Sequence, residues 1–380
     1  MTVLRNVDDR GAARALRPLR PAERRVLSAI RREPGQSRAV LAKRLGLSPA
    51  LMSGTVTTFL EEGWVAERRL RRPARRGQPA LQLRVEEGSI AGLGISLSTG
   101  GIAAASVDLT GRILRTRHHA TNAQNLTRGL EVAGDAIAAL LDSARSFAGI
   151  TIWVPAMIGA SGEIMEVTPS QRGVDFTTYR DALRARFGLP VHLESKCQAI
   201  DEAMNVADPD AVVFTLFLDY GIGGSLIDGL RVYRGGFGQA VNIGALLPEP
   251  GIRPSLPDLA RFLDLDTPEP DFQGMDHESG SLRDRIETWI RSRGGALSGP
   301  LSAVTQLLNP TDMVLAGLFP RWILEGLMGE IRLDLHDVPG RVPIGKPTLR
   351  IARIVGEDAL SVSAASVSVF RALLDPASAT

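Results

Sequence analysis

Apolar positions recur with a helical period three times near the start of the chain and then alternate as strands do. Residues 1–18 are polar, rich in Arg and Ala and without sustained period, so they read as a loose arm. From Pro21 the pattern changes. Val26, Leu27, Ala29 and Ile30 take helical spacing until the Pro34-Gly35 breaker stops the run. Ser37 sits where an N-cap belongs, ahead of a short helix over residues 38–45 in which Val40, Leu41 and Leu45 are apolar. Gly46 supplies a tight turn. Ser48 is a second N-cap, Pro49 suits the first helical position, and the helix runs to about residue 60 before Gly63 ends it. Residues 64–70 and 80–85 then alternate, the latter as Leu81, Leu83 and Val85, which predicts a two-stranded ribbon.

Helix, glycine turn and capped helix followed by a ribbon is the order of a winged helix-turn-helix, a unit whose second helix enters the major groove of double-stranded DNA. Charge sharpens the picture. Residues 1–80 carry 18 basic and 7 acidic side chains, a net of +11, while the other 300 carry 26 and 35, a net of −9. A basic head on an acidic body is the footprint expected of a module that meets a polyanion. The ribbon tip, residues 71–79, is too basic for a core; Arg72, Arg75, Arg76, Gly77 and Gln78 suit a wing on phosphates or in a narrow minor groove. The second helix has no basic side chain. With Met52, Val56 and Phe59 turned to the core, Ser48, Pro49, Ala50, Ser53, Gly54 and Thr57 face DNA, and Arg38, Lys43 and Arg44 reach phosphates. Gly54 in mid-helix costs ~1 kcal/mol relative to Ala. Close approach to DNA explains it, and so does a tolerated neutral position.

Beyond residue 86 strands and helices alternate in two successive sets. The first has a glycine-studded strand-turn-strand at residues 91–105, a helix over 126–146, a strand over 149–154, a helix over 179–187 and a strand over 190–193. The second opens with a strand over 211–218, the turn from Asp219 to Gly224, a strand over 225–227 and the Asp228-Gly229 hairpin turn. Two such sets imply two α/β lobes.

At this point the chain resembles the repressor branch of the ROK family (repressors, open reading frames and sugar kinases), over residues 22–371. SRAVLAKRLGLSPALMSGTVTTFLEEGWV resembles the family helix-turn-helix. RRGQP is similar to the family wing RRGRP, and IDGLRVYRGGFGQAVNIG to the stretch between phosphate loop and zinc site; DMVLAGLFP is similar to the late strand with its adenosine-side loop. The resemblance implies a two-lobed sugar-kinase/actin-like (ribonuclease H-like) α/β body behind the winged head. The expected domains are a flexible basic arm at 1–19, a DNA-binding domain at 20–86, a first lobe at 87–200 completed by a helix over 362–375, and a second lobe at 201–361.

The resemblance also exposes departures. Ser96 stands where family kinases place an Asp that organises the metal-nucleotide end. Ser195-Lys196 stands for Asn-Asp, the sugar ligand and the general base, and a protonated Lys cannot take a proton. Asn242 replaces a sugar-contacting Glu, Ala245 replaces a zinc-ligand His, and the cysteine cluster is missing, Cys197 being the only cysteine. The five histidines are scattered, and His118-His119 read as surface residues. The expectation is therefore no kinase activity, no metal and no cofactor.

Two readings of the body stay open. It binds a small effector, a sugar or sugar derivative made anionic by preference for Lys196, with Gln171, Arg172, Ser195, Lys196 and Asn242 as its contacts. Or it is a dimerisation scaffold with Lys196 in a salt bridge. A homodimer or higher oligomer on an inverted repeat follows from the helix-turn-helix. The rival from another class is an active sugar kinase fused to a DNA-binding head. No apolar segment approaches the ~20 residues of a membrane span, the start lacks an apolar leader, and a cytoplasmic location is the simplest reading.

Overall fold

A computed structural model describes residues 13–69, 81–98, 100–158, 164–167, 171–206, 208, 210–229, 231–238, 240–247, 252–266, 280–335 and 345–373. The chain divides into two compact units. One comprises residues 1–154, 173–194 and 364–380, the other residues 155–172 and 195–363.

The first unit begins with strand β1 (Arg14–Ala15), helices α1 (Pro21–Arg32), α2 (Arg38–Leu45) and α3 (Pro49–Glu61), and strands β2 (Val65–Arg69) and β3 (Leu81–Val85). The helices bury Val26, Leu27, Ile30, Leu41, Met52, Val56 and Phe59 against Trp64 and Leu83, as the apolar spacing predicts. Strands β2 and β3 pair antiparallel. Residues between α1 and α2 join them, since Gly35 N–H donates to the Leu83 carbonyl at 2.8 Å and Leu83 N–H to that of Gln36 at 2.9 Å.

Next come β4 (Ile90–Leu97), β5 (Ile102–Asp108), β6 (Ile113–His119), α4 (Leu126–Ala138), β7 (Ser146–Trp153), β8 (Ala156–Ile158), β9 (Ile164–Val167), α5 (Phe176–Phe187) and β10 (Val191–Glu194). The main sheet runs β1-β7-β4-β5-β6, with β10 also on β7. Both β4 and β7 are buried along their whole length, which suits near-continuous apolar runs at the centre of a sheet covered on two faces. The β8–β9 hairpin belongs to the second unit.

The second unit continues with α6 (Cys197–Asn205), β11 (Val212–Leu218), β12 (Ile222–Asp228), β13 (Arg231–Tyr233), α7 (Leu256–Phe262), α8 (Ser281–Gly294), α9 (Ser298–Leu308), β14 (Asp312–Gly317), α10 (Arg321–Glu330) and β15 (Thr348–Ile351). Its sheet is ordered β13-β12-β11-β14-β15, packed on a core that includes Phe214, Leu216, Trp289, Leu301, Phe319 and Leu327. Buried Asp201 and Glu202 on α6 pair with Arg353, just past β15, and Arg350, on β15. Helix α11 (Ala359–Leu373) starts in this unit and ends in the first, where it lies close to β4. Gly92 permits that approach, because a Cβ there would collide with the Ala365 carbonyl.

Two expectations require correction. The arm is not loose where it is described: β1 pairs parallel with β7, Leu16 N–H donates to the Phe147 carbonyl at 2.8 Å, and Arg17 is held by Glu62 at 2.6 Å and Glu23 at 3.1 Å. The helix expected over 126–146 ends at Ala138, because Asp142 caps a turn by accepting from Ala144 N–H at 3.0 Å, and Ser146 already opens β7. The first compact unit holds the winged head together with β4 to β7, α5 and β10, and leaves the chain after residue 194.

Candidate nucleic-acid interface and second-unit site

The turn between α2 and α3 is set by Gly46 at φ +63°, a left-handed conformation that favours glycine. Ser37 Oγ accepts from Val40 N–H at 3.4 Å and Ser48 Oγ from Leu51 N–H at 3.2 Å, so both expected N-caps are formed. Helix α3 buries Met52, Thr55, Val56 and Phe59. Ser48, Pro49, Ala50, Ser53, Gly54 and Thr57 are exposed on its outer side. A Cβ added at Gly54 would meet no atom within 4 Å. Packing inside the head therefore does not require glycine there.

The basic side chains around this face are more engaged than the sequence suggests. Arg38 Nε donates to Glu67 Oε1 on β2 at 2.7 Å, and its Nη1 to the Ser53 carbonyl on α3 at 3.3 Å. Arg44 pairs with Glu33. Lys43 is exposed. Arg72, Arg75, Arg76, Gly77 and Gln78 lie outside the described residues. Sequence reading missed two exposed apolar side chains beside this surface, Val40 at 50% and Leu51 at 43%. Leu51 is one residue out of phase with the buried Met52–Val56–Phe59 stripe, which is the signal that could have found it.

The five effector candidates all fall in the second unit. Ser195 and Lys196 precede α6, and Lys196 Nζ donates to the Gly224 carbonyl on β12 at 3.0 Å. Gly224 in turn lies under residue 241, since a Cβ on it would stand 2.8 Å from the Val241 carbonyl. Lys196, the glycine hairpin and the segment ending at Asn242 are thus brought together. Asn242 is exposed and precedes a 3-10 turn, Ile243–Leu246, that contains Ala245. Gln171 is 1% exposed, and no described residue bonds either atom of its amide; Arg172 is exposed.

Neighbouring acids have their own tasks. Glu194 is buried and accepts from Arg371 at 3.0 Å in the first unit. Ser96 is buried on β4, and His118 and His119 lie on β6. Asp219, in the turn between β11 and β12, accepts from Gly221 N–H at 3.0 Å, yet burial pushes its carboxyl up to about 6. The described residues contain no helix long and apolar enough to cross a membrane and no group of three or more His, Cys, Asp or Glu placed to hold a metal.

A winged helix-turn-helix joined to a sugar-kinase-like α/β body is the class that these elements define. Residues 18–76 match the MarR family and residues 93–256 the ROK family. The chain thus carries a ROK family domain behind a MarR-type winged helix. It is 28% identical over 362 residues to the uncharacterized protein y4fQ of Sinorhizobium fredii (strain NBRC 101917 / NGR234), covering 92% of this chain and 91% of that one. In fold it is similar to a ROK family transcriptional regulator, a homologue of the E. coli MLC protein, with TM-score 0.64, 19% identity and coverage of 93% and 96%. It is also similar to a ROK family glucokinase from Streptomyces griseus solved with glucose and AMPPNP, with TM-score 0.54, 19% identity and coverage of 73% and 98%.

Proposed function

We propose that this protein is a DNA-binding transcriptional regulator of repressor type, acting as a homodimer on an inverted repeat, with a kinase-like body that does not phosphorylate. The observation that carries the reading is α3: capped by Ser48, buried along Met52, Val56 and Phe59, and presenting Pro49, Ala50, Ser53, Gly54 and Thr57 outward. That is the build of a recognition helix whose small side chains approach bases closely. Much of the affinity then comes from phosphate contacts by Lys43 and the wing residues Arg72, Arg75 and Arg76.

For the body, the side chain at the family's base position supports the reading. Residue 196 is an ammonium bound to a backbone carbonyl, and Glu194 is paired with Arg371. Losing a positioned base typically forfeits ~10²–10⁴ in rate. Neither the His nor the cysteines of the family motif follow Asn242 in the sequence, which supports a body without the family's zinc site. An effector of the second unit is a sugar derivative, anionic where Lys196 contacts it. It alters DNA affinity by changing the placement of the two heads, which is a coupling between sites.

The test is selection of duplexes from random DNA by the full chain, followed by footprinting. An enriched inverted repeat is expected, with affinity falling steeply as salt rises and a flatter salt dependence in Arg75→Ala/Arg76→Ala. Failure to enrich any sequence overturns the reading. In parallel, ADP release from ATP with a hexose panel is expected at background, and robust turnover restores the kinase.

A further inference from the structure

Three arginines line a cavity in the first unit. Its volume is about 290 Å³, and its lining includes Arg112, Arg115 and Arg145 against a single carboxylate, that of Glu87. A small anion fits that volume.

The floor is built by an irregularity of the sheet. Strands β5 and β6 slip register between Ser106 and Val107, and bulges of this kind re-aim side chains and concentrate at functional sites. Ser106, 1% exposed, lines the cavity.

The rim is anchored at Arg145. Arg145 Nε is held by Asp142 at 3.1 Å, and Nη1 donates to the Gly88 carbonyl. Arg112 pairs with Glu87 at 2.8 Å, and Arg115 Nη1 points to the Ala139 carbonyl at 3.4 Å. Forked guanidinium groups match the oxygens of phosphate and carboxylate. Gly88 is moulded around this rim: it sits at φ +69°, where a Cβ would collide with the Arg145 guanidinium, and its N–H donates to Asp108 Oδ2 at 3.0 Å.

Glu87 and Gly88 are also the link between wing strand β3 and body strand β4. An anion that draws Arg112 from Glu87, or shifts Arg145, therefore acts on the connection between the head and the body. We infer that this cavity binds a small phosphate-bearing anion and that its occupancy adjusts DNA binding through the Glu87–Gly88 link. The binding half stands on geometry alone; the coupling half rests on the head being a DNA-binding module.

The test is a thermal-shift titration of the full chain with inorganic phosphate, glucose 6-phosphate and glucose, at ionic strength balanced with sodium chloride. A saturable rise is expected with one or both phosphate compounds and none with glucose. A response to both identifies the phosphate group as the determinant, and a response to glucose 6-phosphate alone identifies a phosphorylated metabolite. Arg112→Ala/Arg115→Ala should weaken binding roughly tenfold or more, while Lys196→Ala should not. Arg145 is left intact because it supports Gly88.

No saturable shift into the millimolar range overturns the site. So does binding that survives the double arginine change and vanishes in Lys196→Ala. Weakened DNA binding in the double variant without any anion binding makes the rim a DNA contact and overturns the proposal as well. Unchanged affinity for a selected duplex at saturating anion overturns the coupling while leaving the DNA-binding reading intact.

Discussion

Lys196 Nζ donates a 3.0 Å hydrogen bond to the carbonyl oxygen of Gly224, joining the start of α6 to the second strand of the glycine hairpin. In the ROK resemblance these are the base position and the phosphate turn. Under the function proposed above, the pair puts a positive charge at the position of the family's proton acceptor. A charged donor on a half-buried carbonyl contributes about 1.5–3 kcal/mol. Lys196→Met keeps the stem and removes the donor, so it should lower the unfolding free energy by ~1–2 kcal/mol in urea titrations. Unchanged stability would mean that solvent screens the bond.

Asp219 gives the same turn a pH dependence. Burial raises its carboxyl from 3.8 to about 6, so between those values the folded chain holds a proton that the unfolded chain has released. Stability from this group therefore falls as pH rises from about 4 to 6 and is level above. Asp219→Asn retains an acceptor for Gly221 N–H and removes the charge. It should be more stable than the parent by ~1–3 kcal/mol at pH 7.5, with the gap closing towards pH 4. A gap that does not vary with pH would point to altered packing instead.

Gly54 separates stability from binding. Nothing lies within 4 Å of a Cβ built there, so Gly54→Ala should stabilise α3 by ~1 kcal/mol and raise the melting point. If α3 needs a bare backbone against DNA, the same change should weaken binding to a selected duplex by roughly tenfold. A stabilised variant with parental DNA affinity would make Gly54 a tolerated neutral residue.

The head was legible because its signals are local. Ser37, Gly46, Ser48 and Pro49 each fix a cap or a turn within a few residues, and the apolar stripe of α3 follows from its period. The two α/β sets were legible for the same reason. What the sequence could not show were partners distant along the chain. The pairing of Arg14–Ala15 with Ser146–Phe147 leaves no periodic trace in a two-residue strand. Nor could it show that Arg38 is engaged by Glu67, 29 residues on, or that Lys196 reaches Gly224. Candidate site residues were picked by type and by resemblance, and type does not say which charges are already paired.

Glu67 offers a test in which two explanations differ in sign. It is an acid beside a surface that meets a polyanion, so simple electrostatics says that Glu67→Gln raises DNA affinity. The geometry says the opposite. Glu67 holds Arg38, and Arg38 also bonds the Ser53 carbonyl, so one guanidinium ties α2, α3 and the wing strand β2 together. Glu67→Gln should weaken binding to a selected duplex about three- to tenfold and reduce discrimination against unrelated DNA, because phosphate contacts position the helix that reads bases. A rise in affinity would show that Glu67 merely occupies Arg38.

Arg17 is the corresponding fastener at the other end of α3. Its Nε donates to Glu62 at 2.6 Å, its Nη1 to Glu23 at 3.1 Å, and its guanidinium lies 5.2 Å from the centre of the Trp64 ring. Glu23 is buried, which alone would push its carboxyl up; hydrogen bonds from Arg20 and Arg17 outweigh this and hold it at about 2. Arg17→Ala leaves Glu23 with the exposed Arg20 and should cost ~2–3 kcal/mol, because breaking one side of a buried pair strands the other charge. The sign of the pH dependence follows from the depressed value. Glu23 contributes fully above its unfolded value of 4.5 and loses that contribution as pH falls towards about 2. The difference between parent and variant should therefore be constant at neutral pH and shrink below pH 4.5. Urea unfolding at pH 7 and pH 3 measures both values, and equal differences at the two would mean that Arg17 acts through Trp64 stacking and not through Glu23.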